Sequence, residues 1–258
     1  MSETLQTSAL SASFSVHRPG FSLDITIDAL PGETIAIMGP SGAGKTTVLG
    51  ALSGLIPIDA GRIQLGDRVL ADREREVHVA PSKRRVSSLG QEGDLFPHMT
   101  ALQNIAFAAR ARGVDRETAL SEAGQWLERI GLTALTSNRP SELSGGQAKR
   151  IALVRALAAR PQLLLVDEPL VSLDVEAAQD MRELITAQLQ EHPTTTVLVS
   201  HDARDAEQLA SRLFIVEGGE ITQAGSVSEV LDEPATRFVR ALARSTGRST
   251  DHSTVETE

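Results

Sequence analysis

The stretch "TIAIMGPSGAGKTTVLGALSGL", residues 34–55, decides the fold. "TIAIM" is a short apolar run that reads as a buried strand. "TTVLGALSGL" carries apolar residues at helical spacing and ends near a glycine, as helices do. Between them, residues 39–46 fit G-x-x-x-x-G-K-[ST] in the strand-to-helix context which that pattern requires. The glycines let the backbone turn so that successive N–H groups and the helix N-terminus face one point, which makes an anion cradle. Lys45 adds an ammonium that reaches the β and γ oxygens of a nucleotide, and the Thr46 hydroxyl can join a Mg²⁺ shell. The candidate cradle is therefore Gly39, Pro40, Ser41, Gly42, Ala43, Gly44, Lys45, Thr46 and Thr47.

Outward from this loop the element types follow from periodicity. "FSLDITI" upstream alternates at period two and reads as a half-buried strand; "GRIQLGDRVL" downstream reads as a strand pair around a Gly-Asp turn. From about Leu102 to Ala159 the pattern becomes helical in "ALQNIAFAARARG", "TALSEAGQWLERIG" and "GGQAKRIALVRALAAR". Two further buried strands, "LLLVDE" and "TTVLVS", flank the helix "EAAQDMRELITAQLQ", and "RLFIVEGGEITQAG" is a hairpin with Gly-Gly at its turn. Strands alternating with helices imply a mainly parallel sheet, here interrupted by a helical insertion.

Composition limits the function. With 258 residues, 41% hydrophobic and 23% charged, the chain can bury a sizeable core in one or two domains. It has no cysteine, so disulfides, thiolate metal sites and cysteine nucleophiles are out. A formal net charge of -9 argues against a nucleic-acid binder, whose phosphate contacts call for a basic excess. No apolar run approaches the roughly 20 residues of a membrane span, and the N-terminus reads as having no signal peptide. The Ser/Thr/Glu-rich residues 245–258 are expected to be a disordered tail.

Four more positions carry chemistry in this context. "LLLVDEP" delivers Asp167 at the C-terminal end of a strand, where α/β sheets bind ligands and where a carboxylate can hold Mg²⁺. Glu168, one residue on, can orient or deprotonate a water for attack on the γ-phosphate; the alternative for both is a solvated strand end and helix cap. Gln91 stands at a strand exit before the helical insertion, a hinge placed to sense the γ-phosphate and a candidate for both the catalytic and the metal set. Its alternative is a solvated loop glutamine. His201 closes "TVLVSHD" and can contact the γ-phosphate or the attacking water, against the alternative of a structural histidine. "ELSGGQAKR", residues 142–150, then offers a second glycine-rich helix start at Ser144, Gly145, Gly146 and Gln147.

Taken in order, "GPSGAGKTT", Gln91, "LSGGQ", "LLLVDEP", "SLD" and His201 resemble the complete motif set of the nucleotide-binding subunits of ABC transporters, over about residues 9–242. The resemblance implies an α/β fold: a P-loop NTPase (RecA-like) core over about 1–90 and 161–244, with an N-terminal antiparallel β subdomain and an inserted α-helical subdomain over about 91–160. It implies ATP and Mg²⁺ as cofactors, and a homodimer in which the "SGGQ" loop of one copy closes on ATP held by the other. Asp174, in "SLD", then belongs to the dimer contact. Polytopic membrane permease subunits, indirectly a solute-binding protein, and a place on the cytoplasmic face of the cell membrane follow. "LFPHMTALQNIAF" resembles importer ATPases for molybdate, sulfate and thiamine, with an exporter subunit as the alternative; Phe96 and Pro97 in it are expected in a groove for a membrane-subunit helix. The aromatic that stacks on adenine in the family has no clear counterpart: Phe14, His17 and Phe21 are candidates, with the spacing favouring His17. Val171 stands where the family commonly has a small polar residue.

Overall fold

The computed structural model describes residues 8–90, 95–171 and 173–248. The chain opens with the antiparallel pair β1 (Leu10–Arg18) and β2 (Phe21–Ala29), and β3 (Thr34–Met38) leads into the glycine loop and helix α1 (Lys45–Ser53). Strands β4 (Ala60–Leu65), β5 (Arg68–Asp72), the short β6 (Val77–His78) and β7 (Val86–Leu89) follow. Three helices make the insertion: α2 (Ala101–Ala111), α3 (Arg116–Arg129) and α4 (Gly145–Ala158). The chain then returns through β8 (Leu163–Asp167), α5 (Val175–Glu191), β9 (Thr195–Val199), α6 (Ala203–Leu209), β10 (Arg212–Glu217), β11 (Glu220–Ser226), α7 (Val227–Asp232) and α8 (Arg237–Ser245).

The eleven strands among the described residues form one sheet, in the order β6-β5-β4-β1-β2-β11-β10-β3-β9-β8-β7. The antiparallel N-terminal strands are thus continuous with the rest rather than a sheet apart. The seam is β11: it pairs antiparallel with β10 and parallel with β2 through Glu220 and Asp24. Beyond the seam β10, β3, β9, β8 and β7 run parallel. Parallel neighbours bring their C-terminal ends to one edge. That edge carries the exits of β3 into the glycine loop, of β8 at Asp167, of β9 toward His201 and of β7 toward position 91.

Burial follows the sequence patterns. Leu23, Ile25, Ile27 and Ala29 alternate inward on β2, whereas the central strands β3, β8 and β9 are buried almost throughout, as parallel strands covered on both faces must be. The inserted helices keep an apolar core of their own, including Ile105, Ala119, Ala123, Leu127, Ile151 and Val154. At its far end α1 is held by Arg84, which is fully buried and donates to the carbonyls of Ala51 and Leu52 and to Val79. A cation at a helix C-terminus complements its macrodipole.

The expected tail starts too early. Helix α8 includes Ser245, and Arg248 is tied down by ion pairs to Asp232 at 2.6 Å and Glu207 at 2.9 Å. Those partners lie far back in sequence, so residue composition alone did not reveal them. Residues 249–258 of the expected tail lie outside the described residues.

Candidate functional site

The glycine loop is shaped by its surroundings. Gly42 and Gly44 take φ values of 80° and 106°, left-handed conformations that favour glycine. A Cβ at Gly39 would overlap the Val216 carbonyl oxygen, and one at Gly44 would stand 2.6 Å from the ring of Phe21 and 2.8 Å from Leu23. Lys45 folds back over this loop and donates to the carbonyl oxygens of Gly39 at 2.8 Å and Pro40 at 3.0 Å. Burial lowers its pKa, while the nearby carboxylates of Glu168 and Asp167 act in the opposite sense. Pro40, Ser41 and Thr46 are exposed, Thr47 is half-buried and Ala43 packs into the core.

Asp167 and Glu168 face this ammonium from the end of β8. The Asp167 pKa is raised, first by burial and then by the Glu168 charge, with Lys45 partly offsetting both. Glu168 holds φ 48°, uncommon for a non-glycine residue, and its N–H donates to the Val199 carbonyl at 2.9 Å. This anchors the strand exit at β9, two residues from His201. The His201 Nδ1 lies 3.8 Å from Glu168 Oε1, although the two are distant in sequence. The fold therefore brings Lys45, Asp167, Glu168 and His201 to one place. Gln91, expected beside them, lies outside the described residues, as does Ser172.

The second glycine loop opens α4 on the chain's surface. Ser144 is the N-cap: its Oγ accepts from the Gln147 N–H, and the Gln147 side chain accepts from the Ser144 N–H, a complete capping box. In the single chain this loop therefore serves as a helix cap. That role does not account for the glycines: a Cβ at Gly145 would meet nothing within 4 Å, and one at Gly146 only Leu173 at 3.7 Å. On this helix Lys149 donates to the Val171 carbonyl, joining α4 to the loop before α5. Asp174 caps α5 by accepting from the Ala177 N–H at 2.8 Å and is otherwise exposed.

A model of the ABC transporter family matches residues 23–171, more than half of the chain. The chain belongs to the ABC transporter family. Among curated ABC relatives, the molybdenum import ATP-binding protein ModC of Mycobacterium tuberculosis is 41% identical over 225 residues, covering 86% of this chain and 61% of that protein. The sulfate/thiosulfate import ATP-binding protein CysA of Synechococcus elongatus is 37% identical over 238 residues, covering 92% and 67%. The chain thus spans about six-tenths of the length of the mycobacterial relative. Of solved structures, a dimeric ATP-binding cassette in a post-hydrolysis state with ADP and Pi is 25% identical with a TM-score of 0.71, covering 84% of this chain and 98% of that one. A nucleotide-free ABC cassette, 21% identical with a TM-score of 0.75 over 88% and 96%, shares the fold.

Two further ABC positions are clarified by geometry. His17, one residue before the end of β1, is exposed, its Nδ1 2.8 Å from Ser22 Oγ and its backbone N–H donating to Asp59. Phe21, paired with Arg18 next to it, is the aromatic candidate whose ring reaches Gly44, while Phe14 is buried in the core. Phe96 is half-buried, edge-on to Phe107 at 4.7 Å with the Arg155 guanidinium 5.0 Å above its ring, and Pro97 is exposed. Phe96 and Phe107 line a groove of about 1200 Å³ between the helical insertion and β7, and Pro97, expected in it, is not among its lining residues. Sequence reasoning missed Arg182, Ser200 and Asp205, which form a buried ion-pair cluster beneath His201. The signal was an arginine on the apolar stripe of α5, with Ala178, Met181 and Ile185.

Proposed function

We propose that this chain is the ATP-hydrolysing nucleotide-binding subunit of an ABC importer, working as a head-to-tail homodimer with two ATP molecules between the copies. The observation that carries the reading is the exposed start of α4, where, among the described residues, a Cβ at Gly145 would meet nothing within 4 Å and one at Gly146 only Leu173 at 3.7 Å. The cradle at residues 39–47 already supplies one phosphate site in cis. A second copy turned head to tail would present its cradle to Ser144, Gly145 and Gly146, and a two-fold axis would make both sites at once. The dimeric ADP and Pi neighbour supports this arrangement.

Each residue has a role in hydrolysis. Lys45 leaves the loop carbonyls to pair with the β and γ oxygens, and the loop N–H groups take the β-phosphate. The oxygen donors of Thr46 and Asp167, with Gln91, fit Mg²⁺, which would supply charge neutralisation on the phosphates. Glu168 orients the attacking water and accepts its proton, and His201, with Nδ1 3.8 Å from Glu168 Oε1, contacts the γ-phosphate or the attacking water. Asp174 lies at the dimer boundary, and His17, with Phe21 as the other candidate, provides the face for adenine.

The importer reading is favoured over an exporter by relatives named as import ATP-binding proteins for molybdenum, trehalose/maltose and sulfate/thiosulfate. That spread of cargo means membrane subunits choose the solute; molybdate is the first candidate because of the 41% relative. No helix among the described residues is long and apolar enough to cross a membrane; the import relatives support polytopic permease subunits as partners and, through them, a solute-binding protein. The groove beside Phe96 and Phe107 suits a short helix from such a subunit on the cytoplasmic face.

Glu168→Gln tests the reading. ATP affinity should persist, turnover should fall by about 10²–10⁴-fold, and ATP with Mg²⁺ should trap a dimer in size-exclusion chromatography. A variant that stays monomeric under those conditions, or that hydrolyses ATP normally, refutes it.

A further inference from the structure

His201 is an exposed side chain on a buried floor. Its ring is 62% exposed, so packing does little to hold it, and its position depends on the backbone on either side. Both neighbours are tied to one guanidinium. Arg182, 8% exposed on α5, donates from Nε to Asp205 Oδ1 at 2.8 Å. Asp205, 3% exposed, accepts at its other oxygen from the Ser200 hydroxyl at 2.5 Å. Ser200 Oγ in turn accepts the Asp202 N–H at 3.1 Å, and Asp202 Oδ2 lies 3.5 Å from Arg182 Nη2.

We infer that Arg182 is a positioning residue that acts through Ser200, Asp202 and Asp205 to hold His201 in place for hydrolysis; the inference rests on the ATPase reading above. A bolt between α5 and α6 would need only the Arg182–Asp205 pair. The additional branches run to Ser200 and Asp202, the residues immediately before and after His201. Burying a guanidinium and a carboxylate costs desolvation, and such clusters are best explained where they fix one conformation among several. A planar guanidinium suits that task because its donors diverge at fixed angles, letting one group address Asp205 and Asp202 together; a lysine ammonium has no such fork. Helix α5 is also capped by Asp174, so the same rigid element joins the proposed dimer boundary to the His201 loop.

The test compares Ser200→Ala, which deletes only the hydroxyl branch, with Arg182→Lys, which keeps the charge and loses the fork. In the full chain with ATP and Mg²⁺, Ser200→Ala should lower kcat about tenfold and Arg182→Lys by more, while KM for ATP stays within about twofold, since misplacing a reacting group by a fraction of an ångström is felt in the chemical step. A second readout is independent of turnover: the imidazole ¹⁵N signals of His201, assigned by their loss in His201→Gln, should broaden or split in Ser200→Ala. Unchanged kcat with unchanged His201 signals overturns the inference. So does a parallel loss of kcat, ATP affinity and melting temperature in Ser200→Ala, which marks a merely structural role. If the unaltered chain fails to hydrolyse ATP, the ATPase reading falls, and the His201 signals still report whether the tether holds the loop. Should Arg182→Lys not fold, Ser200→Ala decides alone.

Discussion

At Gly39 a methyl group would overlap the carbonyl oxygen of Val216, whereas at Gly145 the same methyl would meet nothing within 4 Å. Both glycines belong to loops that open a helix, and both loops are proposed to bind an anion. In the first, the folded monomer itself demands glycine: at Gly39 and Gly44 for space, at Gly42 and Gly44 for left-handed φ. In the second, the backbone at Gly145 and Gly146 is ordinary helix, and alanine would suit the single chain better. A glycine that its own fold does not require points to something approaching from outside. The fold of one copy accounts for the glycines of the cis cradle; for those of the "SGGQ" loop the proposed dimer supplies the reason.

The most damaging way to probe this contrast is Gly39→Ala. The new methyl meets backbone rather than a flexible side chain, so the monomer should lose about 3 kcal/mol or more of stability. A denaturant midpoint close to that of the unaltered chain would mean the cradle relaxes easily, and the contrast would weaken.

Ser144→Arg should act less on the monomer and as much on the dimer. Losing the N-cap costs about 1 kcal/mol, and nucleotide affinity of the isolated subunit, followed by calorimetry, should be unchanged. Hydrolysis should fall to background because a bulky cation stands where the other copy's ATP must come. Mixing this variant with Lys45→Ala sharpens the result: one composite site then carries both lesions and the other neither, so activity should partly return. Lost ATP binding in the Ser144→Arg monomer would place the loop's function in cis.

Gly145→Ala should change the monomer least. Alanine in a helix costs less backbone entropy than glycine, so the melting temperature should hold or rise, by a few tenths of a kcal/mol in stability. ATP-driven dimerisation and turnover should still decline. If stability and turnover drop together, Gly145 serves its own fold and the contrast fails.

Much of the site was legible before any coordinates. Residues 39–46 and the strand ending at Asp167 are local patterns whose geometry is settled within a few residues. The hairpin at Gly218 and Gly219 was legible for the same reason, since a turn sets its own register. The single eleven-stranded sheet was not. Its seam depends on β11 lying against β2, a pairing that no periodicity encodes. The tail boundary failed similarly: Arg248 looks like part of a polar run until Asp232 and Glu207 are placed beside it. Arg182 was visible as a charge on an apolar helix face, yet its partners were not.

The sequence by itself determined the strand and helix around the glycine loop, the three inserted helices, β8, α5, β9 and the β10–β11 hairpin, and it singled out candidate phosphate-binding residues, since these follow from side-chain period, glycine conformations and the order of short motifs. Only the tertiary structure decided that Lys45, Asp167, Glu168 and His201 share one sheet edge, that Phe21 reaches the glycine loop, and that Arg182 lies beneath His201. These contacts join segments far apart in the chain. Their geometry comes from strand order and from the partners that buried charges must find, and neither is a property of any local stretch.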